Sequence, residues 1–297
     1  MSATFDSAHV RRAFSRASAT YAGAAALQRE VESYLLDSLA YLDDRVPDVV
    51  LDVGSGPAHA ARAMRVRWPK ARIVAADMAL PMLQQAAVRT GWNPLQRPLD
   101  RVCADLRALP VADNSVDVLF SNLCLQWVDD LDAAFAGFRR VLKPDGLLLC
   151  STFGPHSLIE LREAFGAADD VPHVSPFASI GAFGDALMRA GFRNPVLDRE
   201  VVVHHHPDMA ALMREQRAIG ATNALATRRR AMTGRGRFAA AAAHYEQFRT
   251  DAGLPASWEW ITAMAWSPPH GAPIREGEQE LARFPAGAIP VRRRRGD

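Results

Sequence analysis

The nine residues from Leu51 to His59, Leu-Asp-Val-Gly-Ser-Gly-Pro-Ala-His, confine what this chain can fold into more than any other stretch. Residues 49–53 read as a buried strand, Gly54 and Gly56 as a turn, and Pro57 as the first residue of a helix. Glycines lack a Cβ, so the backbone can turn tightly and approach a ligand, while the helix start presents unpaired N–H groups. That order of elements receives an anionic, nucleotide-like group. A second strand over 71–76 ends at Asp77, 21 residues beyond Gly56, near the spacing at which a carboxylate meets ribose hydroxyls.

A dinucleotide turn beginning at Gly54 needs a third glycine where His59 stands, so a pyrophosphate finds little open backbone here. The turn suits S-adenosylmethionine better than NAD. With Asp52, Gly54 and Gly56 matching an acidic-x-Gly-x-Gly-x-Gly pattern, the chain resembles the class I methyltransferases, and Ala58 stands in place of the third glycine. The departure is expected to tighten the loop without changing the class of ligand.

At 297 residues and 49% hydrophobic content the chain has ample material for a sizeable core. No apolar run at residues 1–12 could serve as a signal-peptide core, and no segment approaches the roughly 18 apolar residues of a membrane span. A soluble, cytoplasmic protein is the expectation, with no membrane partner. Cys103, Cys124 and Cys150 share no CxxC spacing and fall in or beside apolar runs, which favours buried reduced thiols over disulfides or zinc. Of 35 basic residues only Lys70 and Lys143 are lysine, and the run Arg292 to Arg295 reads as a solvated tail.

Residues 7–42 carry helical spacing in two pieces, through Val10 and Phe14 and then Leu27, Val31, Leu35 and Leu39. Strands at 49–53, 71–76, 101–104, 116–121 and 147–152 then alternate with helices at 57–67, 80–89 and 131–142, the fifth strand entered through the turn Lys143-Pro144-Asp145-Gly146. Such alternation implies a parallel sheet with helices on both faces. Beyond residue 153, helices are expected at 157–168, 180–190, 208–219 and 237–250, and strands at 196–204 and 258–266. The methyltransferase resemblance makes these the sixth and seventh strands, the seventh antiparallel, of a Rossmann-like α/β fold with a mostly parallel seven-stranded sheet. The expected organisation is an N-terminal helical cap (1–45), a cofactor-binding core (46–204), a helical lid inserted before the last strand (205–257), a segment completing the core (258–290) and a basic tail (291–297).

Ligands of a parallel sheet gather at the carboxyl ends of its strands, and the candidates fall there in order. Gly54 and Gly56 flank the methionine moiety; Asp77, with Met78 beside it, accepts the ribose hydroxyls; Asp105 accepts the adenine amine, and Leu106 supplies a backbone N–H and an apolar wall. After the fourth strand, within Ser121-Asn122-Leu123-Cys124-Leu125-Gln126-Trp127, Asn122 faces the cofactor and Trp127 closes the pocket. Asp105 equally fits a helix N-cap, and Trp127 plain core. This motif is not the Asn-Pro-Pro-Tyr of amino-methylating enzymes, and no basic stripe interleaved with aromatics points to nucleic acid, so a hydroxyl, carbon or carboxylate acceptor is expected.

The resemblance narrows through Val10 to Ala17 with Tyr21, Leu27-Gln28-Arg29, Ser121 to Trp127, Leu158 to Phe165, His173 to Phe177 and Ala218 to Asn223. Together these resemble the malonyl-acyl-carrier-protein O-methyltransferases of biotin synthesis. The resemblance implies methyl transfer from S-adenosylmethionine to the free carboxylate of a malonyl thioester, on acyl carrier protein or coenzyme A, masking a charge so that chain extension toward pimelate can proceed. A malonyl carboxylate is already ionised at about pH 7, so no histidine is needed as a general base. On this reading Tyr21 closes over the cofactor, and Arg214 or Arg217 of the lid pairs with the malonyl carboxylate. His173 and Asn223 are weaker candidates for the acceptor pocket, and Arg228, Arg229, Arg230, Arg235 and Arg237 for docking an acidic carrier. His204-His205-His206 alternates faces on a strand and has no evident further ligand, so no metal is assigned. Two other readings remain open: a complex I assembly factor of the same fold that modifies a protein arginine, and a cofactor-binding interaction module without turnover.

Overall fold

The computed structural model describes residues 4–42, 45–86, 99–229, 233–272, 274–276 and 279–281. Helices α1 (Ser7–Ala24) and α2 (Ala26–Asp37) precede an alternating run of β1 (Val49–Val53), α3 (His59–Arg67), β2 (Arg72–Asp77), α4 (Leu80–Gln85), β3 (Asp100–Cys103), β4 (Val116–Ser121), α5 (Leu131–Val141) and β5 (Leu142–Phe153). There follow α6 (Ile159–Gly166), α7 (Ile180–Arg189), β6 (Arg193–His206), α8 (Met209–Ala218), α9 (Arg235–Tyr245), β7 (Leu254–Trp266) and a small hairpin of β8 (Ile274–Glu276) and β9 (Gln279–Leu281). Residues 87–89 of the expected fourth helix, Arg230, the 282–290 segment and the 291–297 tail lie outside the described residues.

The main sheet has seven strands in the order β3-β2-β1-β4-β5-β7-β6, with β1 to β5 parallel and β7 antiparallel to both neighbours, as the sequence led us to expect. The chain builds outward from β1 through β2 to β3 and then returns to the other side of β1. That reversal leaves a crevice at the carboxyl ends of β1 and β4.

Alternation along the strands divides the apolar residues between two faces. Leu51, Leu119, Leu148 and Cys150 meet α5 and α7, where Phe135 and Phe183 pack edge to face with centroids 5.1 Å apart. Val50, Val118, Phe120, Leu147 and Leu149 meet the opposite layer, built from α3 and the end of the N-terminal helices through Leu35, Leu39, Met64 and Trp68. Coverage on both faces explains why β1, β4 and β5 read as continuous apolar runs.

Two strand boundaries differ from expectation. Leu142 pairs with Val116 and Leu147 with Val118, so Lys143 to Gly146 loop out within β5, with Asp145 at φ +58°. The turn read from sequence is thus nested inside a longer strand. Strands β6 and β7 pair without break from Val196 opposite Met264 to His206 opposite Leu254, extending both past their apolar stretches. Backbone pairing, which side-chain pattern does not display, carries the extra residues.

The cover over the crevice joins distant parts of the chain. Leu27 and Val31 of α2 share one apolar cluster with residues of α6, α8, α9 and β7, so α6, within the core boundaries drawn from sequence, also packs into the cover. Helix α1 is stitched to the segment after α8: Asp6 N–H donates to Ala224 O at 2.8 Å, Ala226 N–H to Thr4 O at 2.8 Å and Thr20 Oγ1 to Ala218 O at 2.6 Å. Gly220, at φ +82°, sits so close that a Cβ there would stand 3.1 Å from Ala13 O and Phe14 Cα. The three cysteines are free, but burial holds only for Cys150; Cys124 is half-buried and Cys103 exposed, because β3 is short and lies at the sheet's edge. No helix among the described residues is long and apolar enough to cross a membrane.

Candidate functional site

Strand ends supply the floor of a narrow slot of about 80 Å³ lined by Gly54, Gly56, Asp77, Met78, Asp105, Leu106, Asn122 and Trp127, with Phe14 and Tyr21 of α1 as its roof. Gly54 (φ +71°) and Gly56 (φ +51°) adopt left-handed backbone, and a Cβ at Gly54 would collide with the Cys124 side chain. The Tyr21 ring lies over the turn, its Cε1 3.8 Å from where a Gly56 Cβ would be. Asp77 holds the loop in shape: its carboxylate accepts the N–H of Gly56 at 2.9 Å and of Ala79 at 2.7 Å. Burial raises the Asp77 carboxyl above its ordinary value, opposed by those two N–H groups.

A neighbouring cavity of about 340 Å³ shares Tyr21, Gly54 and Asn122 with the slot and is also lined by Arg29, Glu32, Asp52, His59 and Arg62. Asp52 is 2% exposed and its Oδ2 has no hydrogen-bond partner. Burial first, and the charge of Glu32 second, push its carboxyl well above the usual aspartate range, while an N–H of Ala61 pulls the other way. Burial, then the charge of Asp77, likewise raises the Tyr21 phenol, which stays un-ionised at neutral pH.

On the far side of Trp127 lies a larger cavity of about 620 Å³ whose walls include Phe153, Leu158, Phe165, Phe177 and Trp258. Trp127 is the shared wall, lining both this cavity and the slot, and Phe14 and Phe5 pack edge-on against it at 5.6 and 6.1 Å. Its role is therefore partition as well as closure.

Residues 51–150 match the methyltransferase domain family. The malonyl-acyl-carrier-protein O-methyltransferase of Xylella fastidiosa (strain M23) is 57% identical over 295 residues, covering 99% of each chain. The chain belongs to the malonyl-acyl-carrier-protein O-methyltransferase family. The member from Methylovorus sp. (strain MP688) is 42% identical over 275 residues, covering 92% of this chain and 93% of its own. Among solved structures, the YcgJ protein from Bacillus subtilis is similar in fold, with a TM-score of 0.54 at 16% identity, covering 80% of this chain and 99% of that one.

Within this methyltransferase the strand-end residues read from sequence converge, and several carry structural duties as well. Asp105 caps the 3-10 turn Leu106–Ala108 by accepting Arg107 N–H at 3.0 Å and pairs with the Arg107 guanidinium, which lowers its pKa. The Asn122 amide is committed to the fold: Nδ2 donates to Gln28 O at 2.9 Å and Oδ1 accepts from Ser151 Oγ at 2.8 Å, tying α2 to β4 and β5. Asn122 thus shapes the slot through its position. Ala58 sits at φ +59° and ψ +45°, fully buried, so the third position of the turn keeps the left-handed geometry glycine would take freely. Relief of about 1 kcal/mol of left-handed strain in Ala58→Gly is offset by about 0.8 kcal/mol of lost methyl burial and the larger entropy of the unfolded chain. Chemical denaturation is expected to give a net change within about 1 kcal/mol.

The arginine assignments need correction. Arg214 faces solvent, its side chain 66% exposed and 3.9 Å from Asp208, and lines none of these cavities, because it falls on the outer side of α8. Arg217, three residues later, does line the large cavity. Arg228 is turned inward onto Asp6 at 2.9 Å, and Arg229 and Arg237 onto Asp169 at 3.3 and 3.6 Å, so these three are fold-stapling ion pairs more than a docking face. Arg235 is exposed at the start of α9. His173 and Asn223 line the cavity as expected, His173 stacked on Phe165 with centroids 4.1 Å apart and Asn223 donating to Pro172 O at 2.9 Å. His206 is buried against Glu215 of α8 at 2.9 Å, a link between β6 and the lid. Sequence reasoning missed Cys124 behind Gly54, Glu32 beside Asp52, and the Asp6–Arg228 pair, whose partners stand 222 positions apart.

Proposed function

We infer that the protein transfers a methyl group from S-adenosylmethionine to the free carboxylate of a malonyl thioester, giving the methyl ester that serves biotin synthesis. The observation that carries this reading is that the carboxylate-floored slot and the aromatic cavity adjoin at Trp127, so a cofactor in one and an acyl arm in the other would come together at the edge of its indole. The residues fit the cofactor. Asp77 and Asp105 suit its ribose and adenine, the cradle left by Gly54 suits a close backbone approach, and the buried Asp52 carboxylate, whose Oδ2 has no partner, suits its ammonium. Bound there, S-adenosylmethionine supplies an electrophilic methyl on a sulfonium.

The chain's own contribution is orientation and exclusion of water. The acceptor carboxylate is ionised at about pH 7 and needs no general base. Methylation consumes its negative charge, so a free arginine on that carboxylate would hold the ground state more tightly than the transition state. The interior agrees: Arg228 and Arg229, which line the cavity, are neutralised by Asp6 and Asp169. An acyl carrier protein is the proposed partner and the cytoplasm the proposed location.

The test is incubation with methyl-labelled S-adenosylmethionine and malonyl-acyl carrier protein. Base-labile label on the carrier is the expected product; protein that binds the cofactor yet forms no ester would leave only the fold-level assignment.

A further inference from the structure

Every residue lining the 620 Å³ cavity is buried or half-buried except two, and both are arginines: Arg12 of α1 and Arg217 of α8. Both stand where the cavity meets solvent, on α1 and the end of α8, which are held together by the Thr20 bond to Ala218 and the close seat of Gly220 against Ala13 and Phe14. Neither forms an ion pair with a described residue, whereas the inner arginines Arg228 and Arg229 do. Arg12 also lines an adjoining cleft with Arg11 and Arg16, so positive charge continues outward along α1. The cavity therefore has a charge-neutral interior and a positive mouth. A ligand that fits it carries its fixed anion at the entrance, at a distance from the end that enters.

We propose that Arg12 and Arg217 clamp the phosphate of the phosphopantetheine arm that delivers the malonyl group. The proposal rests on the reading of the cavity as a thioester site. A thioester of this kind has two anions, the carboxylate that reacts and the phosphate that does not. Only the second keeps its charge through the reaction, so free guanidinium groups there add binding without favouring the ground state over the transition state. Arginine suits the task because its planar donors meet phosphate oxygens in pairs. The arm reaches the site either from an acyl carrier protein or from coenzyme A, and both present the phosphate.

Titration of the whole protein with 4′-phosphopantetheine and with pantetheine measures the phosphate preference without turnover. Exposed charge-assisted contacts of this kind give about fivefold each, so the wild-type preference is expected to be roughly 20-fold and to shrink with added salt. Arg12→Ala or Arg217→Ala should each remove about fivefold, the double variant nearly all, and Arg-to-Lys replacements should keep part of it. Arg214→Ala, on the same helix but outside the cavity, should keep the wild-type ratio. Equal binding of the two probes by the wild type, or an undiminished preference in the double variant, would overturn the proposal. In turnover the double variant should raise KM for malonyl-acyl carrier protein and malonyl-coenzyme A alike; a rise confined to the carrier protein would mean that the arginines read the carrier's surface, and the phosphate clamp would fall. A phosphate preference without any ester formation would support the clamp while removing the methyl-transfer reading.

Discussion

Gly54→Ala is expected to abolish measurable cofactor binding and to cost the fold about 2–4 kcal/mol. Two effects coincide at this position. The backbone stands at φ +71°, and the added Cβ would lie 2.6 Å from Cys124 Cβ and closer still to its sulfur. Neither can relax easily, since Gly54 N–H is bonded to Ala76 O at 2.8 Å and a shift would drag the loop off β2. Gly56→Ala separates the two terms: its φ is +51° but its Cβ would meet only Tyr21 at 3.8 Å, so about 1–2 kcal/mol of backbone strain remains. Adding Cys124→Gly to Gly54→Ala removes the colliding atoms and should restore stability to the Gly56→Ala level. Calorimetric titration with S-adenosylhomocysteine and denaturant melts measure both quantities, and a Gly54→Ala variant that binds normally would refute the close approach inferred at this turn.

Asp52→Asn is expected to move stability and binding in opposite directions. Burial lifts the folded-state pKa of this carboxyl above the ordinary value of 3.8, so the folded chain takes up a proton more readily than the unfolded one. The stability linked to that proton is fully present below the unfolded value and is lost as pH rises through the raised folded value. Asparagine cannot ionise and escapes the loss. The variant should therefore be more stable than wild type near neutral pH, by about 1–3 kcal/mol, with the gap closing as pH falls toward the ordinary aspartate value. Cofactor affinity should fall at least about 100-fold, because a buried ammonium loses its counter-charge. For the wild type, affinity should rise with pH over the interval in which Asp52 ionises. Melting curves at several pH values, with and without ligand, test both halves; a variant that is less stable at neutral pH would show that the carboxylate has partners this geometry lacks.

The parallel sheet and the meeting of the glycine turn with acids at its strand ends were legible because they rest on local rules. Apolar runs of strand length, a glycine turn and acids at strand ends fix β1 to β4 and put Gly54, Gly56, Asp77 and Asp105 on one rim. What could not be read depends on contacts between distant positions. The β5 turn looked terminal because nothing local tells that Leu142 already pairs with Val116. Arg214 and Arg217 were indistinguishable as neighbours before an arginine-free segment, and both are exposed; the turn of about 60° between positions three apart leaves Arg214 opposite the buried face of Met209, Leu212 and Gln216 while Arg217 borders it and reaches the cavity rim. Arg228 and Arg229 belong to a run that reads as solvated charge, and only the approach of Asp6 and Asp169 reveals them as internal pairs.

The stitching of α1 to the strand of chain after Ala218 has a kinetic consequence. The roof of the slot and the rim of the acceptor chamber belong to one seam, joined by Asp6, Thr20 and Gly220. Loosening it would open both compartments at once, so release of the spent nucleoside and of the new ester is expected to respond together to a change at Thr20 or Gly220.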